Sequence, residues 1–220
     1  MKVRITITAI TIALCMVLFA CGGDAKQPQN EVKKPNAAQP AKKVEPKLPT
    51  INIYRYGDFS VDKAKQLKAE LEKVYPSVTL ADDAIVLPKE CYYKPRDRYK
   101  GSGLLDDLMK YRKGGYALGL TNEIIYQENE ISPTFGIFGI SDLRDRVSVI
   151  SCWEPKPHRL LTDSEMRELM LHELGHAFGL EHCKDEHCIM VDAEHGNKFS
   201  QTQAFCDNCT RFLKSKGWKL

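Results

Sequence analysis

The chain beyond residue 50 lacks an excess of positive charge. Residues 51–220 carry 24 Lys/Arg against 26 Asp/Glu, a net of −2, whereas residues 1–50 carry eight against three, a net of +5. A folded part with that balance has no basic face to neutralise phosphates, which excludes a nucleic-acid partner. The apolar run Ile5–Ala20 is only 16 residues and contains threonines. It is short for a spanning helix and right for the h-region of a signal peptide, with Lys2 and Arg4 as its positive flank. Asp24–Thr50 has few large apolar side chains but six lysines and five prolines. Such a segment buries too little surface to offset chain entropy and is expected to stay extended as a tether. What remains, residues 51–220, has the length of one domain, expected to act as a monomer.

The leader ends Leu18-Phe19-Ala20-Cys21-Gly22. This resembles the bacterial lipobox, in which the leader is cut before the cysteine. The resemblance implies a signal peptide over 1–20, lipidation of Cys21 and a lipid-anchored protein in the cell envelope, outside the cytoplasm. An uncleaved anchor or an ordinary secretory leader are the alternatives. The tether lysines could be drawn to anionic lipid; a plain spacer over 21–50 is the simpler account.

What is present is concentrated in Leu169–Cys183, LMLHELGHAFGLEHC. On a helix, His172 and His176 lie one above the other on one face, where two imidazoles can ligate one zinc ion. If the helix continued, His182 would lie about 9 Å further along the axis and point elsewhere. It can reach the same metal only if the helix stops, and Gly179 stands where a left-handed C-cap would stop it. Glu173 projects beside such a metal, the position of a general base acting on a zinc-bound water. The bland alternative is an amphipathic core helix with chance histidines.

Upstream, Ile51–Tyr56 alternates as a first strand. Ser60 caps a helix with the stripe Val61, Ala64, Leu67, Leu71 and Val74, stopped by Pro76. Val78–Leu80 and Ala84–Leu87 are short strand candidates, and Lys89–Lys100 reads as a surface loop. A second helix begins at Ser102 and ends at Gly114-Gly115. Tyr116–Leu120, Phe135–Ile140 and Arg146–Cys152 are further strands. This order predicts an α/β architecture, with helices packed on a mixed sheet. Gly136 and Gly139 suit either close approach of an extended substrate at an edge or a bent interior strand. Thr162 with Glu165 forms a capping box, and Leu161 with Met166 a hydrophobic staple, at the start of the histidine helix.

Of eight cysteines, Cys15 and Cys21 fall in the leader and Cys91 and Cys152 are isolated, free or bridged. Cys183, Cys188, Cys206 and Cys209 form two close pairs that fit a tetrahedral four-thiolate zinc site. Cys183 follows His182 directly, so a structural metal would fix the third histidine by covalent adjacency. Two disulfides are the competing reading outside the cytoplasm. A thiol-redox centre lacks the βαβ context it needs. His187 could replace one thiolate but reads better as an exposed loop residue, and His158 and His195 carry no usable signal. No propeptide with an obvious zinc-blocking cysteine follows the leader.

The run HELGHAFGLEHC, then CxM, then CxxC, resembles the archaemetzincins, a branch of the metzincin zinc peptidases, over roughly residue 51 to the C-terminus. The resemblance implies a metzincin-like mixed twisted sheet with packed helices, an active-site helix and a small zinc-stapled C-terminal subdomain. It implies a catalytic zinc on His172, His176 and His182, Glu173 as general base and Met190 as the Met-turn residue. It implies a second, structural zinc on Cys183, Cys188, Cys206 and Cys209, and a peptide or protein substrate. The spacer between Met190 and Cys206 is a little shorter than the family's. A catalytically silent, zinc-stapled peptide-binding lipoprotein is the alternative.

Overall fold

The computed structural model describes residues 47–130, 132–154, 158–192, 198–199, 201–202 and 204–220. The expected signal peptide, Cys21, most of the tether and His195 lie outside the described residues. The described chain runs β1 (Ile51–Tyr56), α1 (Val61–Glu72), β2 (Val78–Ile85), β3 (Tyr92–Tyr93), β4 (Arg98–Lys100), α2 (Gly101–Met109), β5 (Tyr116–Thr121), β6 (Ile125–Gln127), β7 (Phe135–Ile137) and β8 (Gly139–Asp142). It continues through β9 (Val147–Ser151), β10 (Trp153–Glu154), β11 (Arg159–Leu160), α3 (Asp163–Phe178) and α4 (Asp207–Ser215).

The main sheet has the order β2-β1-β5-β9-β8. Its first four strands are mutually parallel, and β8 runs antiparallel to β9 at the edge. Strands β1, β5 and β9 are almost wholly buried, as parallel strands covered on both faces must be. One face carries α1 and α3 over Ile53, Leu67, Leu71, Leu118, Met170 and Leu174. The other carries α2 over Tyr56, Leu104, Leu108, Val147 and Val149. The expected mixed sheet with packed helices is the observed fold. A second sheet, β3-β4-β6-β7, lies beside it in the chain order.

Several local expectations shift. The two short strands after α1 are one strand, β2, whose pairing jumps from Ile53–Leu80 to Arg55–Ala84. That bulge is what interrupts its apolar pattern. Val61 is exposed, and the buried face of α1 is Ala64, Leu67 and Leu71. Lys89–Lys100 is not a bare loop: it holds two single 3-10 turns and the hairpin β3–β4. Helix α2 starts at Gly101, straight out of β4, without a side-chain cap. Phe135–Ile140 is split: β7 pairs with β6 in the second sheet, and β8 pairs with β9 in the first. The chain changes sheets at Phe138. Residues 48–50 pack on the body: Leu48 meets the core, and Tyr116 N–H and Tyr75 O–H donate to the Thr50 and Pro49 carbonyls.

Candidate metal centre and catalytic carboxylate

Helix α3 begins where the sequence places it. Thr162 Oγ1 accepts from Glu165 N–H, and Glu165 Oε2 accepts from Thr162 N–H at 2.8 Å. Such a reciprocal cap is worth about 1 kcal/mol. Leu161 and Met166 are both buried in the same core. The helix ends at Gly179, with φ 110°, a region that a Cβ would strain. Its N–H and that of Leu180 close on the last turn, and the chain turns back.

The turn brings three imidazoles together. One ring nitrogen each from His172, His176 and His182 lies within 4.8 Å of the others. His172 Nδ1 lies 2.6 Å from the Ile189 carbonyl, and His176 Nδ1 lies 2.8 Å from that of Leu180. A carbonyl only accepts, so each Nδ1 carries the proton. Each Nε2 then presents a lone pair, and the two Nε2 atoms face each other at 3.1 Å with no proton to share. Two such lone pairs repel unless a cation lies between them. A tetrahedral zinc with nitrogens at about 2.0–2.1 Å spaces them about 3.3–3.4 Å apart, close to the observed edge. His182 Nδ1 lies 3.4 Å from Asp192 Oδ2. A carboxylate on the far nitrogen is the usual support for a metal-binding imidazole. Burial, first of all, holds His172 and His176 below the ordinary histidine range, which keeps them neutral for a metal.

Glu173 is buried on the same helix. Burial raises its carboxyl, opposed by a hydrogen bond from Ser141 and by the field of the histidines. Ser141 Oγ lies 2.6 Å from Glu173 Oε2. The space around the carboxylate exists because residue 139 is glycine: a Cβ there would sit 2.5 Å from Glu173 Oε1. Gly139 thus makes room for Glu173. Neither expected reading of this glycine, substrate approach or an interior bend, included that. A cavity of about 460 Å³ opens beside the site, lined by Ser141, Leu143, His176, Gly179, Leu180 and His182.

Met190 is fully buried beneath the helix. A Cβ on Gly175 would collide with its sulfur, so Gly175 is what lets Met190 pack against the turn carrying both helical histidines. The strap from Cys188 to Val191 serves two clusters. Ile189 offers the acceptor for His172, the Met190 carbonyl accepts from Cys183 N–H at 2.7 Å, and Cys188 contributes its sulfur.

The sulfurs of Cys183, Cys188, Cys206 and Cys209 all lie within 4.8 Å of one another, and none is bonded to another. Cys183 and Cys206 are 3.8 Å apart. That is the edge of a tetrahedron of about 3.8 Å built on a metal–sulfur distance of about 2.3 Å. Burial acts to raise the Cys206 thiol, but hydrogen bonds from the Cys209 backbone and the other thiols bring it below its ordinary value. Cys206 also stands at the N-cap position of α4, where the helix dipole favours a thiolate. Cys91 and Cys152 are free thiols in separate clusters, so the open question of a bridge resolves against one. His187 is exposed and outside the sulfur group.

Sequence reasoning missed Ser141, Ser148, Gly175, Asp192 and the Ile189 and Leu180 carbonyls. Only the glycine-containing Phe135–Ile140 segment, which Ser141 follows directly, pointed towards the first of these.

Comparison with known proteins gives the family. Peptidase family M54 matches residues 126–215. The archaemetzincin of Methanopyrus kandleri is 36% identical over 138 residues, covering 58% of this chain and 73% of that protein. That of Haloquadratum walsbyi is 24% identical over 182 residues, covering 74% and 98%. The crystal structure of archaemetzincin from Methanopyrus kandleri matches with TM-score 0.63 at 26% identity, over 79% of this chain and 98% of that one. The Archaeoglobus fulgidus structure, complexed with malonate, matches with TM-score 0.62 at 23% identity over 74% and 99%, a likeness of fold. With its histidine and cysteine groups in place, the chain belongs to the archaemetzincin family, Peptidase family M54, and is a zinc metallopeptidase.

Proposed function

We propose that His172, His176 and His182 hold the catalytic zinc through Nε2 of the two helical histidines and a ring nitrogen of His182. Glu173 is the general base, and Cys183, Cys188, Cys206 and Cys209 hold a second, structural zinc. The observation that carries the reading is the pair of Nε2 atoms facing each other at 3.1 Å, with both Nδ1 atoms on carbonyls, beside a buried carboxylate. Zinc, when bound, supplies Lewis acidity and lowers the pKa of water. The protein's own contribution is positional. Glu173 takes the proton of the attacking water and delivers it to the leaving amine. Met190 fills the space under the helix and fixes the histidine turn. Strand β8, at the edge of the main sheet, pairs with an extended peptide by strand addition.

The chain is further proposed to be a lipoprotein, anchored through Cys21 and held off the membrane by residues 21–50, acting as a monomer outside the cytoplasm. The support is the leader and its lipobox-like end. Three measurements test these assignments. Glu173→Gln should keep the metal yet lose cleavage of an unstructured peptide by at least about a hundredfold; full activity removes the base. Elemental analysis should find two zinc ions per chain; one zinc with four oxidised cysteines removes the structural site. Labelling with a lipid precursor should mark the wild type and not Cys21→Ser.

A further inference from the structure

The carboxylate of Glu173 is gripped from one strand. Across the edge of the main sheet, Ser141 pairs with Ser148. Alternation along β8 turns Gly139 and Ser141 to α3, while Ile140 faces the Gly101 end of α2. Ser141 has one hydroxyl proton and three oxygens in reach: Glu173 Oε2 at 2.6 Å, the Glu173 carbonyl at 2.8 Å and Ser148 Oγ at 2.9 Å. The carboxylate oxygen is charged, nearest and the strongest acceptor. Ser148 Oγ, 3.2 Å from the Glu173 carbonyl, then completes the network with its own proton.

We infer that Ser141 and Gly139 are positioning residues for Glu173: the serine hydroxyl pins Oε2, and the glycine leaves the volume in which Oε1 sits. The inference rests on Glu173 being the general base. One residue pulls on the carboxylate and its neighbour on the same face makes way for it, so its rotamer is over-determined. A Glu side chain has three rotatable bonds, and without the grip it spreads over rotamers that do not face the reacting atoms. The same strand is the one proposed to pair with substrate, so substrate and base share one frame.

The test uses the full-length zinc-loaded protein and a quenched fluorescent unstructured peptide. Ser141→Val and Ser141→Thr have nearly the same shape and differ by the hydroxyl. Ser141→Thr should keep kcat within about threefold of wild type, and Ser141→Val should lose about 10–100-fold in kcat. KM should stay within about twofold in both, with zinc content and melting temperature equal between the pair. Gly139→Ala should lower kcat at least as much as Ser141→Val, because its Cβ displaces Oε1. Equal kcat for the Val and Thr variants overturns the inference. So does a Val loss that falls on KM, or one that tracks lost zinc. An active Glu173→Gln instead refutes the base assignment beneath it, whereas an inactive Glu173→Gln with a fully active Ser141→Val removes only the grip.

Discussion

The two ligand clusters of this chain are joined at His182–Cys183 yet are held in opposite ways. Two histidines project from α3, a helix buried on several sides through Leu171, Leu174, Ala177 and Phe178, with Phe178 stacked on Tyr116 at 3.8 Å. Their Nδ1 atoms are already engaged by carbonyls. Three of the cysteines sit on irregular chain, and Cys209 lies in the first turn of α4. Among the described residues, two isolated β-bridges, Cys183–Val191 and Cys188–Ala204, and the start of α4 are the regular pairing around them. Their local apolar cluster is Cys188, Met190 and Cys209 with a few partly buried neighbours. The difference teaches what each proposed metal would do: at the histidines the fold precedes the ion, and at the cysteines an ion would supply the order that packing does not.

Complete removal of zinc gives the largest separation. A strong chelator should abolish cleavage and strip amide-exchange protection from residues 180–192 and 204–209, while 166–178 stay protected. If α3 loses protection equally, the two clusters do not differ as argued. Next, Cys209→Ser should lower bound zinc by one ion and reduce cleavage by about tenfold or more, through the loosened strap that carries the Ile189 acceptor. Unchanged zinc content would show that the sulfurs hold no metal. Leu174→Ala removes a fully buried side chain from beneath the histidines and should cost about 2–5 kcal/mol in denaturant unfolding, with two zinc ions retained. The smallest effect is Thr162→Ala, which should cost about 1 kcal/mol and leave kcat alone. A large drop in kcat there would mean that the helix start, and not the core, sets the histidine geometry.

Much of the site was legible because its signals are local. A spacing of four on a helix, a glycine at the stop and Thr162 with Glu165 at the start each follow from backbone geometry. The strand layout was legible in β1, whose residues alternate, and in the short, largely apolar runs of β5 and β9. It failed at Phe135–Ile140, where one apolar run serves two sheets and periodicity has no mark for the change at Phe138. Strands β10 and β11 are two residues each, too short to carry a pattern. Helix α4 hides its start in a cysteine pair that reads first as metal ligands.

The sequence by itself determined the chemistry: which three imidazoles, which carboxylate and which four sulfurs could meet, because ligand types and turn residues are written at fixed spacings. Only the tertiary structure decided how they are held. Ser141 and Gly139 reach Glu173 across 30 or more residues of chain, and the carbonyls that set the histidine tautomers belong to Ile189 and Leu180. Every residue has a carbonyl, so nothing in a side chain announces which ones will accept; that choice is made when the strap folds under the helix.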